Sequence, residues 1–85
     1  MKTIEYTIKD ELGIHARPAG MLVKLAGRFD SEITVENNGK TGSCKKIFSV
    51  MGLNVKKGDC IKITVEGADE DKASKEIEIF LKESL

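Results

Sequence analysis

The apolar residues of this chain change their spacing several times, and this change of period constrains the fold more than any other feature. In some stretches apolar and polar residues alternate, which is typical of strands with one buried face. Other stretches repeat apolar residues every three or four positions, which is typical of helices with one buried stripe. One-faced strands need a covering layer, and amphipathic helices can supply it. We therefore expect a sheet covered on one face by helices.

Four strands are predicted from the alternating stretches. The first covers residues 4–8 and the second covers residues 33–36. The Asn-Asn-Gly-Lys run at residues 37–40 contains residues that tolerate positive φ, so it predicts a hairpin turn. A short return strand follows at residues 41–44, and the clearest alternation occupies residues 60–66. Strands buried on one face are typical of antiparallel sheets.

Three helices are predicted between and after these strands. The first begins at Ala16 and stops at Gly27, with an apolar stripe at Ala19, Leu22, Val23 and Ala26. The second is short, from about Lys46 to Gly52. The third begins after Asp69, a predicted N-cap, and its stripe is Ala73, Ile77, Phe80 and Leu81. The order β-α-β-β-α-β-α predicts an α+β open-faced β-sandwich, with three helices on one face of a four-stranded antiparallel sheet.

Length and charge exclude several classes of protein. The 85 residues suffice for one domain, residues 1–85, with a modest core. Fourteen basic residues balance fourteen acidic ones, and only four residues are aromatic. Because nucleic-acid binding usually requires a basic face, we expect no nucleic-acid partner. No segment approaches the roughly 20 apolar residues of a membrane span, and residues 1–5 lack the apolar part of a signal peptide, so we expect a cytoplasmic protein with no membrane insertion.

The cysteines give no sign of a metal or cofactor site. Cys44 and Cys60 lie in strand-like patterns without a C-x-x-C spacing, and one histidine is available to join them. A structural zinc site needs four ligands. We therefore expect buried or edge thiols, no metal and no cofactor.

His15 is the only histidine of the chain and stands where a turn gives way to the first helix, within the segment Gly-Ile-His-Ala-Arg-Pro-Ala at residues 13–19. Pro18 suits a first helical turn, because it fixes a helical φ and has no N–H to leave unpaired. The first-turn N–H groups of Ala16 and Arg17 and the Arg17 guanidinium can bind phosphate oxygens. Histidine can act as a neutral nucleophile near neutral pH. A capping or loop role for His15 and a surface role for Arg17 are the alternatives.

The outward face of the first helix is basic and carries an exposed methionine. Its members recur at helical spacing: Arg17, Gly20, Met21, Lys24 and Arg28. In the second helix Phe48 lies off the apolar face formed by Ile47, Val50 and Met51. An exposed aromatic side chain on so small a domain indicates a docking surface. The alternative is that Phe48 fills a gap in the core.

The segment at residues 13–19 resembles the active-site segment of HPr, the histidine-containing phosphocarrier family of the bacterial phosphoenolpyruvate-dependent sugar phosphotransferase system (PTS). The segments at residues 38–40, 45–53 and 67–70 are similar to the family's hairpin, second helix and final helix start. The resemblance implies a monomeric carrier, not an enzyme. It would accept a phosphoryl group from phosphorylated Enzyme I on Nδ1 of His15, with Arg17 contacting the phosphoryl group, and pass it to the IIA components of sugar transporters. The implied partner-binding face is Gly20, Met21, Lys24, Ile47, Phe48 and Met51.

One position departs from the pattern of many Gram-positive members of the family. Their second helix opens with a Lys-Ser pair whose serine is phosphorylated by a dedicated kinase, whereas this chain has Lys45-Lys46. We therefore expect kinase-dependent serine regulation to be absent. Two other functions remain open: a regulatory module that docks other proteins without serving sugar transport, and a hydrolase that uses His15 with a serine or cysteine.

Overall fold

The alternating segments pair into one sheet in the computed structural model, which describes residues 1–85. The elements in chain order are β1 (Lys2–Thr7), α1 (Ala16–Ala26), β2 (Glu32–Asn37), β3 (Lys40–Ser43), α2 (Ile47–Met51), β4 (Cys60–Glu66) and α3 (Glu70–Ser84). The four strands are antiparallel and lie side by side in the order β1-β4-β2-β3. The predicted α+β open-faced sandwich is confirmed.

The strand register brings the apolar residues of each strand to the same face of the sheet. Ile63 of the central strand β4 pairs with Ile4 on one side and with Val35 on the other. The helices cover this face with buried stripes, which are Ala19, Leu22 and Ala26 in α1 and Ala73, Ile77 and Leu81 in α3. Each large aliphatic side chain removed from water in this way stabilises the fold by roughly 1.5–3 kcal/mol. Val23 and Phe80, predicted as members of these stripes, are only partly buried.

The β2–β3 hairpin has the turn that its sequence predicts. Asn37 pairs with Lys40, and the two residues between them have positive φ, 53° at Asn38 and 83° at Gly39. Positive φ at both central positions is the geometry of a type I′ turn, whose twist matches that of the flanking strands. The hairpin therefore sets the register of the edge strand β3.

Asp69 stands at the N-cap position of α3, but its side chain does not cap that helix. Its carboxylate instead accepts hydrogen bonds from the N–H groups of Asp30 and Ser31, both at 2.9 Å, and from the Ser31 hydroxyl. Those donors lie in the connection from α1 to β2, which reaches Asp69 only in the folded chain. Asp69 is therefore the N-cap by position, as predicted, but its carboxylate binds donors of a nearby loop and not the N–H groups of the helix.

None of the three helices combines the length and the apolar content that crossing a membrane would require.

Candidate functional site

His15 occupies the N-cap position of α1. Its backbone is extended, with φ −100° and ψ −176°, and its carbonyl oxygen accepts the first helical hydrogen bond, from the N–H of Ala19 at 3.0 Å. Its side chain makes no capping bond to the helix. The capping role considered for His15 is therefore not seen, and the half-buried imidazole keeps its ring nitrogens for other partners.

The turn before His15 is anchored to the segment between α2 and β4. Gly13 is buried with φ +65°, and a Cβ atom there would lie 2.1 Å from the Val55 carbonyl oxygen. The same oxygen accepts a hydrogen bond from the N–H of Ile14 at 3.1 Å, and the Ile14 side chain is buried. Only glycine permits this conformation together with so close an approach. Gly13 and Ile14 therefore determine where the chain leaves the core, and that point sets the position of His15.

The His15 side chain lines a shallow surface cleft of about 340 Å³. The cleft is lined by Asp10, His15, Arg17, Pro18, Met21 and Ser84. Sequence reasoning missed two of these residues. Asp10 lies in the turn before the helix and had no helical or strand pattern to mark it. Ser84 comes from the other end of the chain, so no local signal could have placed it here.

The cleft presents several donors to an anion. Arg17 is exposed, and its guanidinium has no carboxylate within 4 Å. The N–H groups of Ala16 and Arg17 precede the first position that can bond within the helix, and Pro18 has none. No acidic residue stands in the first turn of α1. The positive end of the helix dipole is therefore open to a negatively charged group beside the imidazole.

The predicted docking residues belong to two helices, α1 and α2, that contact each other. The two helices meet where Gly20 faces Ile47, since a Cβ atom on Gly20 would lie 3.7 Å from Ile47 Cδ1. Around this contact Met21 is 49% exposed, Phe48 is 85% exposed and Met51 is 37% exposed. Phe48 therefore does not fill a gap in the core. Exposed apolar side chains on two contacting helices favour an interaction surface, and one of them, Met21, also lines the cleft.

Arg28 lies beyond the helix face on which the spacing placed it. Because α1 ends at Ala26, Arg28 stands in the following turn. With Lys24 it lines a second shallow groove between α1 and α3, whose apolar lining is Met21, Leu25 and Phe80. The sequence did not indicate Leu25 or Phe80 as groove residues. Phe80 was predicted as part of the buried stripe of α3, and no motif marked Leu25, whereas both are partly buried. Neither Lys24 nor Arg28 has a carboxylate within 4 Å.

The two thiols lie in different surroundings, and neither belongs to a group of metal ligands. Cys44 is fully buried and Cys60 is exposed. Burial raises the pKa of the Cys44 thiol to about 12. No three His, Cys, Asp or Glu side chains are grouped so that they could hold a metal ion.

Comparisons of the sequence and of the structure with known proteins both find similarity to HPr phosphocarrier proteins. The family profile described as "PTS HPr component phosphorylation site" matches residues 2–83. A phosphocarrier protein HPr of Lysinibacillus sphaericus is 46% identical over 83 residues, which cover 98% of this chain and 94% of the relative.

Solved structures show the same fold along nearly the whole chain. A histidine-containing phosphocarrier protein of Mycoplasma superposes with a TM-score of 0.95 at 37% identity, covering 98% of this chain and 94% of that one. Crh of Bacillus subtilis, described as a catabolite repression protein that forms a domain-swapped dimer, superposes with a TM-score of 0.78 at 30% identity, covering 94% and 92%. This chain therefore belongs to the HPr family of phosphocarrier proteins of the phosphotransferase system.

Proposed function

We propose that this chain accepts a phosphoryl group from phosphorylated Enzyme I on Nδ1 of His15 and passes it to the IIA components of sugar transporters. The observation that carries the proposal is the position of His15. Its imidazole makes no capping bond to α1 and lies at the open N-terminus of that helix, in the same cleft as the unpaired Arg17 guanidinium.

The transfer step needs little from this chain beyond position and charge. The lone pair of Nδ1 attacks phosphorus, the bond from phosphorus to the donor atom of Enzyme I breaks, and that electron pair returns to the donor. The negative phosphoryl oxygens then face the N–H groups of Ala16 and Arg17 and the Arg17 guanidinium, which requires no rearrangement of the helix. Transfer to a IIA component repeats the same displacement in the other direction. The chain is thus a co-substrate and not an enzyme.

The surface beside the cleft suits a partner that must dock and leave. Its apolar residues are Met21, Ile47, Phe48 and Met51, and its cations are Lys24 and Arg28, with Gly20 at the contact between the helices. One face must release Enzyme I before it meets a IIA component, so we expect a small and transient interface. An acidic rim on each partner would complement the cations.

We propose that residues 1–85 act as one domain, as a monomer and in the cytoplasm, without a cofactor, a metal or a nucleic-acid partner. The net charge of zero and the scarcity of aromatic residues support the absence of nucleic acid.

Reconstitution of the phosphorelay tests the proposal. Phosphoenolpyruvate and purified Enzyme I should add one phosphate to the wild-type chain, labile in acid and stable in alkali, and a IIA component should then remove it. His15→Ala should accept none. Failure of the wild-type chain to accept phosphate would overturn the proposal.

A second candidate function is a regulatory module that docks other proteins. The 30% identity to Crh favours it, since that relative is described as a catabolite repression protein. The two functions differ in the last step, the transfer of the phosphoryl group from His15 to a IIA component. A chain that is phosphorylated on His15 but never donates the group to any IIA component would support the regulatory reading.

We also propose that kinase-dependent serine regulation is absent. Lys46 occupies the N-cap position of α2 where the family resemblance places the regulatory serine. The Ser43 hydroxyl accepts a hydrogen bond from the N–H of Lys45 at 3.2 Å, and Ser49 is half-buried. Incubation with ATP and the cognate kinase should therefore leave no phosphoserine on this chain, and stable phosphoserine would contradict this.

A further inference from the structure

We propose that Asp10 acts through space on the phosphoryl group carried by His15, and that its carboxylate shortens the lifetime of the phosphohistidine. This inference rests on the proposed function, because it concerns the phosphorylated form of the same histidine. The observation behind it is that one carboxylate lines the cleft together with His15 and Arg17.

Three hydrogen bonds hold Asp10 in place at this cleft. Its Oδ1 accepts a hydrogen bond from the N–H of Leu12 at 2.8 Å, and its carbonyl oxygen accepts one from the N–H of Gly13 at 3.0 Å. Its own N–H donates to the main-chain oxygen of Leu85 at 2.8 Å. Asp10 is therefore not a free surface side chain, because its backbone and one carboxylate oxygen are both anchored beside the cleft.

The charge of this carboxylate is not neutralised by the protein. Oδ2 makes no hydrogen bond, and no lysine, arginine or histidine nitrogen lies within 4 Å of the carboxylate. Glu11, its neighbour in the same turn, does not line the cleft and pairs with Lys57 at 3.0 Å. Among the residues that line the cleft, only Arg17 brings an opposing charge, and Ser84 from α3 is uncharged. The Asp10 carboxylate therefore forms no ion pair, and it shares the cleft with one opposing charge, the Arg17 guanidinium.

A carboxylate near a phosphohistidine favours the forms that lose the phosphoryl group. Like charges disfavour the dianionic phosphoryl group and favour its protonated forms, including the form protonated on the ring. In hydrolysis, the oxygen of water forms a bond to phosphorus while the Nδ1–P bond breaks. The electron pair passes to Nδ1, the ring becomes neutral and keeps its proton on Nε2, and inorganic phosphate departs with both protons of the water. A protonated ring is a better leaving group than a neutral one. The negative charge of Asp10 favours ring protonation and so accelerates hydrolysis of the phosphohistidine.

The substitution Asp10→Asn removes the charge and keeps the geometry. The amide oxygen of asparagine can still accept the hydrogen bond from Leu12, so the turn before His15 is preserved. Asp10→Ser offers a second neutral side chain with an acceptor oxygen, in case the first variant folds poorly. Glu11→Gln is the matched control, since it removes one negative charge from the adjacent position outside the cleft.

The experiment measures how long the phosphoryl group survives. Each protein is phosphorylated with phosphoenolpyruvate and Enzyme I, freed of Enzyme I, and followed by phosphorus NMR near neutral pH. We expect a half-life about two- to fivefold longer for Asp10→Asn and Asp10→Ser, as for one charge acting across a solvated cleft, and no change for Glu11→Gln. The ratio of the Asp10-variant half-life to the wild-type half-life should approach one in about 1 M salt, because salt screens a charge effect but not a structural one.

The outcomes distinguish this inference from the proposed function. If the wild-type chain and the variants take up phosphate but decay at the same rate, the role of Asp10 is overturned and the carrier function stands. Faster decay of Asp10→Asn, or a difference that persists in high salt, would also overturn it. If the wild-type chain takes up no phosphate, both proposals fail.

Discussion

The ammonium group of Lys45 donates a hydrogen bond to the main-chain oxygen of Phe29 at 2.7 Å. Phe29 follows the end of α1, and Lys45 precedes α2, so this contact ties together the two helices that carry the predicted docking surface. The neighbouring Lys46 makes no such bond, although both lysines are exposed. Two adjacent residues of one type therefore differ in their structural roles.

Lys45→Met should destabilise the fold while Lys46→Met should not. The methionine keeps the apolar stem but leaves the half-buried Phe29 carbonyl without its donor, which costs about 1 kcal/mol. Urea unfolding of both variants measures the difference. Equal stability of the two variants would show that the Lys45 contact contributes nothing.

Gly13→Ala should be among the most damaging single substitutions in the chain. The alanine must adopt φ near +65° and its Cβ would collide with the Val55 carbonyl, so we expect a loss of about 3 kcal/mol or more. Gly39→Ala is the control, because φ is +83° there but no atom lies within 4 Å of the added Cβ. That variant should lose only about 1 kcal/mol. Equal losses in urea unfolding would mean that the close approach to Val55 has no cost.

Asp69→Asn should destabilise the protein near neutral pH and much less in acid. The hydrogen bond from the Ser31 hydroxyl, followed by that from the Asp30 N–H, lowers the pKa of Asp69 in the folded state. A lowered carboxylate pKa stabilises the fold above the unfolded-state pKa of about 3.9, and that contribution is lost as the pH falls through the folded-state pKa.

Denaturant unfolding of wild type and Asp69→Asn at about pH 7 and about pH 2 measures this effect. Asp71→Asn is the control, because the Asp71 carboxylate contacts only exposed Lys2 at 3.1 Å and should contribute little at either pH. If the free energies of unfolding of wild type and Asp69→Asn differ by the same amount at both pH values, the lowered pKa of Asp69 is contradicted.

One thiol should react in the folded protein and two after unfolding. Cys60 is exposed, whereas Cys44 is buried and its pKa is raised to about 12, which suppresses the thiolate that reacts. A colorimetric disulfide reagent counts the accessible thiols with and without denaturant. Cys60→Ser should leave the folded protein unreactive, and rapid modification of that variant would show that Cys44 is accessible.

Phe48→Ala should weaken docking without weakening the fold. The ring is 85% exposed, so the stability change should stay below about 0.5 kcal/mol, whereas loss of an exposed aromatic anchor should slow phosphoryl transfer by about tenfold at limiting partner concentration. Ile79→Ala is the control, since Ile79 is 52% exposed on α3 and lies outside the docking surface. If both variants transfer phosphate at the wild-type rate, Phe48 is not part of the interface.

Much of the fold could be predicted because its elements depend on local pattern. Alternation at residues 60–66 requires a strand with one buried face, and that strand became the central β4. Asn38 and Gly39 accept positive φ by their own chemistry, so the hairpin did not depend on distant residues. The start of α1 at Ala16, with His15 before it, follows from the Pro18 position and the apolar stripe.

The partners of individual polar side chains could not be predicted in the same way. Asp69 has the residue type of a cap, yet its carboxylate binds Asp30 and Ser31 from another connection. Lys45 and Lys46 are indistinguishable by pattern, and only Lys45 reaches the Phe29 carbonyl. These bonds depend on which donors and acceptors remain free once the helices have packed.

The sequence alone thus determined the order of the elements and the placing of His15 at the start of a helix, because backbone periodicity and turn chemistry act over a few residues. Only the tertiary structure decided what surrounds the imidazole. Asp10 and Ser84 lie 74 positions apart, and they meet at one cleft because α3 packs back across the sheet beside the turn that leads into α1. Such contacts are set by the closure of the whole chain around its core.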